Sequence, residues 1–190
     1  MHPHRADTLD GAALARLREL AGDGRAVAIG EIGIDLSGRS APREIQERAF
    51  LAQLDLADAL GLPVVVHVRD AGELVRSLLH GRHVRGQLHC YSEGPEEFPL
   101  WRALGLVPSF AGTVTYPKNR ALRDAAGAAD ALLIETDAPY LAPQPQRGRR
   151  NEPAYVAVTY AAVAAVRGVS VDALAERTAA TARELFGHRW

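Results

Sequence analysis

Apolar positions along this chain switch repeatedly between helical spacing and short aliphatic runs. Ala13, Leu14, Leu17 and Leu20 mark a helix over Ala12–Leu20, closed by Asp23-Gly24. Val27–Ile29 reads as a strand. Pro42 opens a longer helix, in the position where a missing N–H costs least. Its inner stripe is Ile45, Phe50, Leu54 and Ala57, and Gly61 with Pro63 stops it. Val64–Val68 is rich in valine, as expected of a strand covered on both faces. The alternation continues through a helix over Ala71–Leu79, a strand over Gly86–Cys90, a helix over Pro95–Leu104 and a strand over Leu106–Phe110. A helix over Asn119–Ala126 and a strand over Ala131–Ile134 follow. Two helices come last, near Pro153–Val166 and Val171–Phe186, parted by Gly168-Val169-Ser170 with Ser170 as N-cap. Strands recur at the spacing of βα units, so the class is α/β with a parallel sheet.

Four of the apolar runs lead into residues that can hold a metal ion. Val27-Ala28-Ile29-Gly30 runs into Glu31, Val64-Val65-Val66 into His67, Gly86-Gln87-Leu88 into His89, and Leu132-Leu133-Ile134 into Glu135-Thr136-Asp137. Singly, such a histidine is an ordinary buried ring and such an acid an ordinary helix cap. Together, on neighbouring parallel strands, they gather at one end of one sheet, where α/β barrels put their active sites. Two imidazoles and two carboxylates make the mixed N/O ligand set of Zn, Mn or Mg hydrolases. Without an ion, carboxylates buried close together are costly.

At 190 residues one domain is expected, spanning 1–190. Hydrophobic residues at 47% and charged residues at 24% are ordinary for a globular chain. A net charge of -1 excludes a general polyanion binder, so any polyanion site is local or borrows charge from metal. The lone cysteine, Cys90, forms no internal disulfide and reads as strand filler beside His89. No uninterrupted apolar segment suggests a membrane span, and the first residues lack the apolar core of a signal peptide. A cytoplasmic location is expected.

Six motifs sharpen the reading. Gly30-Glu31-Ile32-Gly33-Ile34-Asp35 resembles the GEIGLD signature of the TatD family of metal-dependent deoxyribonucleases. His67-Val68-Arg69-Asp70-Ala71 resembles its H-x-R-D-A, and His89-Cys90-Tyr91-Ser92 its HCFS. Glu135 through Leu141 matches its ETDAPYL, and Arg147 through Pro153 its R-G-x-R-N-E-P. His2-Pro3-His4 is similar to its G-x-HPH turn. The resemblance spans the whole chain in order.

It implies a TIM-like (β/α) barrel and a phosphodiesterase that uses divalent metal ions, two in number, on DNA ends in the 3′ to 5′ direction. Glu31 would bridge the metals, His67 and His89 would be imidazole ligands, and Asp137 would ligate one metal and deprotonate the attacking water. His2 would sit near the substrate phosphate. Water is a poor nucleophile near neutral pH, and a bound divalent ion lowers its pKa by many units.

Arg147, Arg149 and Arg150 have the fork geometry to clamp a phosphate backbone, against the ordinary role of a solvated loop. Arg69 follows a ligand at a strand end, with an ion pair to Asp70 or a neighbouring carboxylate as its ordinary alternative. Tyr140 is placed to stack on a base or to pack its loop. Asn151 is expected to cap the helix near Pro153. DNA is the expected partner, with no membrane and no obligate protein partner.

A complete barrel of this type needs ~250 residues and eight strands. Five strands are expected here, so the barrel is incomplete, with two βα units and most of a third strand upstream. Met1 is then an internal methionine read as a start, or the edge of a trimmed piece. On that reading the 190 residues alone bind metal weakly and cleave little. Two other functions remain open from sequence. A small-molecule amidohydrolase on the same barrel is disfavoured because many of those enzymes use a bridging lysine where Glu31 stands, and the only lysine is Lys118 in a loop. A non-catalytic remnant that binds a partner through Arg147–Arg150 would show no metal-dependent turnover.

Overall fold

The computed structural model describes residues 1–38 and 41–187. These residues group into two compact units. The first comprises Met1–His89, Ala103–Leu106 and the chain from Leu185; the second comprises Cys90–Arg102 and Val107–Glu184.

In the first unit a 3-10 turn over Pro3–Thr8 leads into α1 (Gly11–Gly22), β1 (Ile29–Asp35), α2 (Arg43–Leu60), β2 (Val64–Arg69), α3 (Gly72–Leu79) and β3 (Gly86–Leu88). The strands pair in parallel, β1 with β2 and β2 with β3. Asp10 caps α1, accepting a hydrogen bond from Ala13 N at 2.8 Å. Pro42 sits at the start of α2, and Gly61 ends it in the left-handed region at φ 63°, donating to Ala57 O and Asp58 O. Ile32 and Ile34 of β1 are fully buried, as are Phe50 of α2 and Val75 and Leu79 of α3. Each such side chain contributes about 1.5–3 kcal/mol through removal from water. Gln46 of α2 is also buried, and its amide works as a piece of strand. Its Oε1 accepts from Asp35 N at 2.8 Å, and its Nε2 donates to Asp35 O at 3.0 Å and Ala41 O at 2.6 Å.

The second unit holds α4 (Phe98–Ala103, less its last residue), most of β4 (Leu106–Phe110), α5 (Arg120–Ala128), β5 (Leu133–Ile134), α6 (Val156–Arg167) and most of α7 (Val171–Phe186). β4 and β5 pair in parallel. Trp101 is fully buried and satisfies its indole N–H on Glu93 Oε2 at 2.6 Å. Tyr91 packs edge-on to Phe110 at 5.6 Å between ring centres. Ser170 Oγ accepts from Ala173 N at 3.1 Å, capping α7 as its sequence position requires.

Five parallel strands and seven α-helices among the described residues make an α/β fold. The helix expected over Pro95–Leu104 is instead a 3-10 turn at Pro95–Glu97 followed by the short α4. No single helix among the described residues is long and apolar enough to cross a membrane; α6 with its preceding turn and α7 pass such a test only as a pair bent by 103°.

Candidate metal centre

Glu31 and His67 lie inside strands, not at their ends. β1 runs on to Asp35 and β2 to Arg69, with Gly33 opposite His67 and Asp35 opposite Arg69. Glycines and an acid interrupt the apolar pattern of β1 while the backbone ladder continues, which is why periodicity alone ends that strand at Ile29; the Val64–Val68 reading of β2 falls one residue short.

Gly33 is the point of closest approach. Its φ is +145°, and an ideal Cβ there would lie 1.9 Å from the carbonyl oxygen of His67. Only glycine fits. Two residues to either side along the strand stand Glu31 and Asp35, and the His67 ring lies between their carboxylates. His67 Nδ1 is 2.8 Å from Glu31 Oε1, and His67 Nε2 is 3.3 Å from Asp35 Oδ2.

Two further imidazoles face the same Glu31 oxygen. His89 follows β3, donates its backbone N–H to Val66 O at 2.9 Å, and places Nε2 3.5 Å from Glu31 Oε1. His2 places Nε2 3.8 Å from that oxygen. His2 Nδ1 accepts from the backbone N–H of His4 at 3.1 Å, so a neutral His2 carries its proton on Nε2, aimed into the site.

The electrostatics follow from this packing. Burial raises the Glu31 carboxyl, but the hydrogen bond with His67 and the fields of His89, His67 and His2 outweigh it and hold Glu31 below the ordinary glutamate value. Asp35 is almost fully buried, which also raises its carboxyl. Hydrogen bonds from the Ser37 hydroxyl and backbone N–H, one with His4, and the field of His67 reverse that and hold it far below the aspartate range. Burial lowers His2, with Glu31 opposing and His67 reinforcing the shift.

The ligand atoms of His2, Glu31 and His67 lie within 4.8 Å of one another. One carboxylate oxygen faced by imidazole nitrogens from three segments, β2, the end of β3 and the N-terminal turn, is a donor set that fits a divalent cation. Glu31, His67 and His89 would hold it.

The second unit carries the remaining residues singled out from sequence. Asp137 lies three residues past β5, half-buried, with its backbone in the left-handed region at φ 55°. A non-glycine residue held there is strained, and such strain clusters at functional sites. Glu135, in the same segment, accepts from Cys90 N at 3.0 Å through Oε1. Tyr140 is 69% exposed. Arg147 stacks over the Tyr116 ring, 4.3 Å from its centre, while Arg149 and Arg150 are exposed. Arg69, in the first unit, is exposed at the end of β2 and forms no ion pair with Asp70 among the described contacts. Asn151 does not cap a helix. It is buried, its Nδ2 donates to Thr136 O and Tyr140 O at 2.6 Å each, and its Oδ1 accepts from Glu152 N. It ties the two ends of the 136–152 loop together.

Sequence reasoning missed His4, Asp35, Ser37 and Gln46. Asp35 had a readable signal, because it stands four residues after Glu31 in one strand and so shares its face. His4 Nε2 lies 2.9 Å from Asp35 Oδ2, a contact between segments that no local pattern announces.

Parallel strands bearing a carboxylate and imidazoles on one face define a metal-dependent hydrolase of the α/β class. The family model of TatD related DNases matches residues 1–187, and the chain belongs to that family. It is 40% identical over 196 aligned positions to a protein from a Rahnella species named 3'-5' ssDNA/RNA exonuclease TatD, covering 98% of this chain and 74% of that protein. It is 34% identical to the metal-dependent hydrolase YabD of Bacillus subtilis, covering 97% and 74%. The crystal structure of YJJV, a TatD homologue from Escherichia coli, superposes with a TM-score of 0.93 at 28% identity, covering 99% of this chain and 75% of that one. The chain thus spans about three quarters of these relatives, and its fold is that of the TatD-type barrel.

Proposed function

We propose that this chain hydrolyses phosphodiester bonds at the 3′ ends of single-stranded nucleic acid, DNA in the first instance. The observation that carries the reading is the convergence of His67, His89 and His2 nitrogens on the single oxygen Glu31 Oε1. The name of the Rahnella relative supports the substrate class.

A divalent cation, when bound, supplies acidification of water and neutralises charge on the phosphoryl group. Glu31, His67 and His89 would hold it. One cation is what the first unit's cluster supports, and Mg, Mn and Zn all suit its donors; a second ion, drawing on Asp137, is our extension from the ETDAPYL motif. In our reading Asp137 orients the attacking water and takes its proton as the water oxygen closes on phosphorus and the bond to the leaving sugar oxygen breaks. His2 donates its Nε2 proton as a hydrogen bond to a phosphoryl oxygen. Arg69 and the 147–150 arginines bind the phosphates that flank the scissile one, with Arg147 preset by its stack on Tyr116. Tyr140 offers its exposed ring to a base.

The test is digestion of a 3′-ended oligonucleotide with Mg²⁺, with Mn²⁺ and with EDTA, using wild type and Asp137→Asn. The reading expects cation-dependent release of mononucleotides by wild type and loss of at least about a hundredfold in the variant. Equal cleavage by both would remove Asp137 from the reaction, and cleavage in EDTA would remove the metal.

A further inference from the structure

Two loops follow the carboxyl ends of the paired strands β4 and β5, and they are built as one piece. Residues 111–119 follow β4 and residues 135–152 follow β5. Gln144 N donates to Thr115 Oγ1 at 2.9 Å, and the Tyr116 hydroxyl donates to Ala142 O at 3.0 Å. An ideal Cβ on Gly112 would lie 2.4 Å from Leu141 O, so the two backbones meet more closely than any larger residue permits. The Arg147 guanidinium covers the Tyr116 ring at 4.3 Å.

The first loop is also braced by its own side chains and by α5. Arg123 Nη1 donates to Tyr116 O at 2.7 Å and to Val114 O at 3.3 Å, and its Nη2 donates to Pro117 O at 3.0 Å. Asn119 Nδ2 donates to Thr113 O at 3.0 Å. These bonds fix the backbone that leads into Lys118, which is exposed.

Charge on this platform has one sign. Residues 111–119 and 138–151 contain Lys118, Arg147, Arg149 and Arg150 and no aspartate or glutamate, in a chain of net charge -1. Lys118 is the only lysine, and the other 21 basic residues are arginine. Lysine is a compact point charge on a flexible stem with rotatable donors. That suits a phosphate that must move on by one nucleotide after each cut. A cationic groove with aromatic rings is how single strands are held without regard to sequence, and Tyr140 adds an exposed ring.

We propose that the 111–119 loop is a second wall of the nucleic-acid track, and that the Lys118 ammonium binds a backbone phosphate of the single strand beside the Arg147–Arg150 loop. This rests on the nucleic-acid reading above and deepens it, because it adds a loop and a cation that the metal centre does not require.

The experiment is fluorescence anisotropy of labelled oligothymidylate and oligoadenylate in EDTA, which keeps the strand intact, over a series of KCl concentrations. Each phosphate contact to a single strand adds about 0.7 to the slope of log K against log salt. Lys118→Gln is expected to flatten the slope by about 0.7 and to weaken binding about fivefold at about 0.1 M KCl, for both sequences, with the melting curve of wild type. Lys118→Arg keeps the wild-type slope. Arg120→Gln removes an exposed charge two residues on and keeps it too, because Arg120 faces Asp124 at 3.7 Å along α5. A wild-type slope in Lys118→Gln overturns the inference and leaves the proposed function standing. Equal flattening in Lys118→Gln and Arg120→Gln assigns the effect to overall surface charge and overturns it as well, as does a loss confined to one of the two sequences. Wild type that binds neither strand, in EDTA or with Mg²⁺, overturns the nucleic-acid reading and the inference together.

Discussion

His67 Nδ1 stands 2.8 Å from Glu31 Oε1, across two neighbouring parallel strands. Neither residue could make this contact without Gly33, which brings β1 against β2 at the carbonyl of His67. The pair is the seed of the proposed cation site, so Glu31 is the residue whose charge matters most. Glu31→Gln keeps the shape and removes the charge. We expect its Mn²⁺ dissociation constant to rise by about a hundredfold or more, beyond what the loss of an outer partner causes, while thermal unfolding without metal moves by only a few degrees. Calorimetry and a melting curve check both. An unchanged Mn²⁺ affinity would place the cation elsewhere.

Gly33→Ala is expected to fail for a different reason. The added methyl would meet a backbone oxygen, which cannot rotate away, and alanine would also have to hold φ +145°. Strain and overpacking together predict a loss of about 3 kcal/mol or more. Urea denaturation measures it. A stability within about 0.5 kcal/mol of wild type would mean that β1 and β2 pack less closely here than described.

Acid should expose the bonds around Asp35. Its carboxyl in the folded protein titrates well below the unfolded value because the Ser37 and His4 contacts and the field of His67 outweigh burial. A group with a lowered folded pKa adds stability that is complete above its unfolded value of ~3.9 and fades as pH falls below it. The urea midpoint of wild type should therefore exceed that of Asp35→Asn at about pH 5, and the margin should narrow as pH falls below about 4. A margin that grows as pH falls below about 4 would contradict these contacts.

Tyr140 is exposed, with half-buried Pro139 before it and exposed Leu141 after it. Stacking of a base on an aromatic ring is worth about 1–3 kcal/mol. Tyr140→Ala is expected to raise KM for a single-stranded oligonucleotide by about tenfold with kcat and melting temperature nearly unchanged. Steady-state kinetics test this, and an unaltered KM would assign the ring to the loop alone.

Much of the fold was legible because hydrophobic spacing and helix punctuation report local structure. α2 begins after Pro42 and ends at Gly61, and α7 occupies Val171–Phe186, as the sequence indicates. β1 reads short because Glu31 and Asp35, polar residues of the proposed site, sit inside it, whereas the Val64–Val68 reading of β2 stops only one residue early. Glu31, His67 and His89 were legible as repeated ligand-type residues after apolar runs. The partners that hold them were not. Asp35 meets His4 across 31 residues and Gln46 across 11, and such contacts depend on tertiary packing that no local window contains. Asn151 shows the reverse error. Its type and place suit a helix cap, yet the loop carbonyls of Thr136 and Tyr140 claim its amide.

The most direct measurement is anomalous diffraction from crystals grown with Mn²⁺. The account predicts a peak at ligand distance, about 2.0–2.3 Å, from Glu31, from His67 and from His89. Strong Mn²⁺ peaks lying only outside this cluster, with Glu31 and His67 still paired to each other, would contradict it.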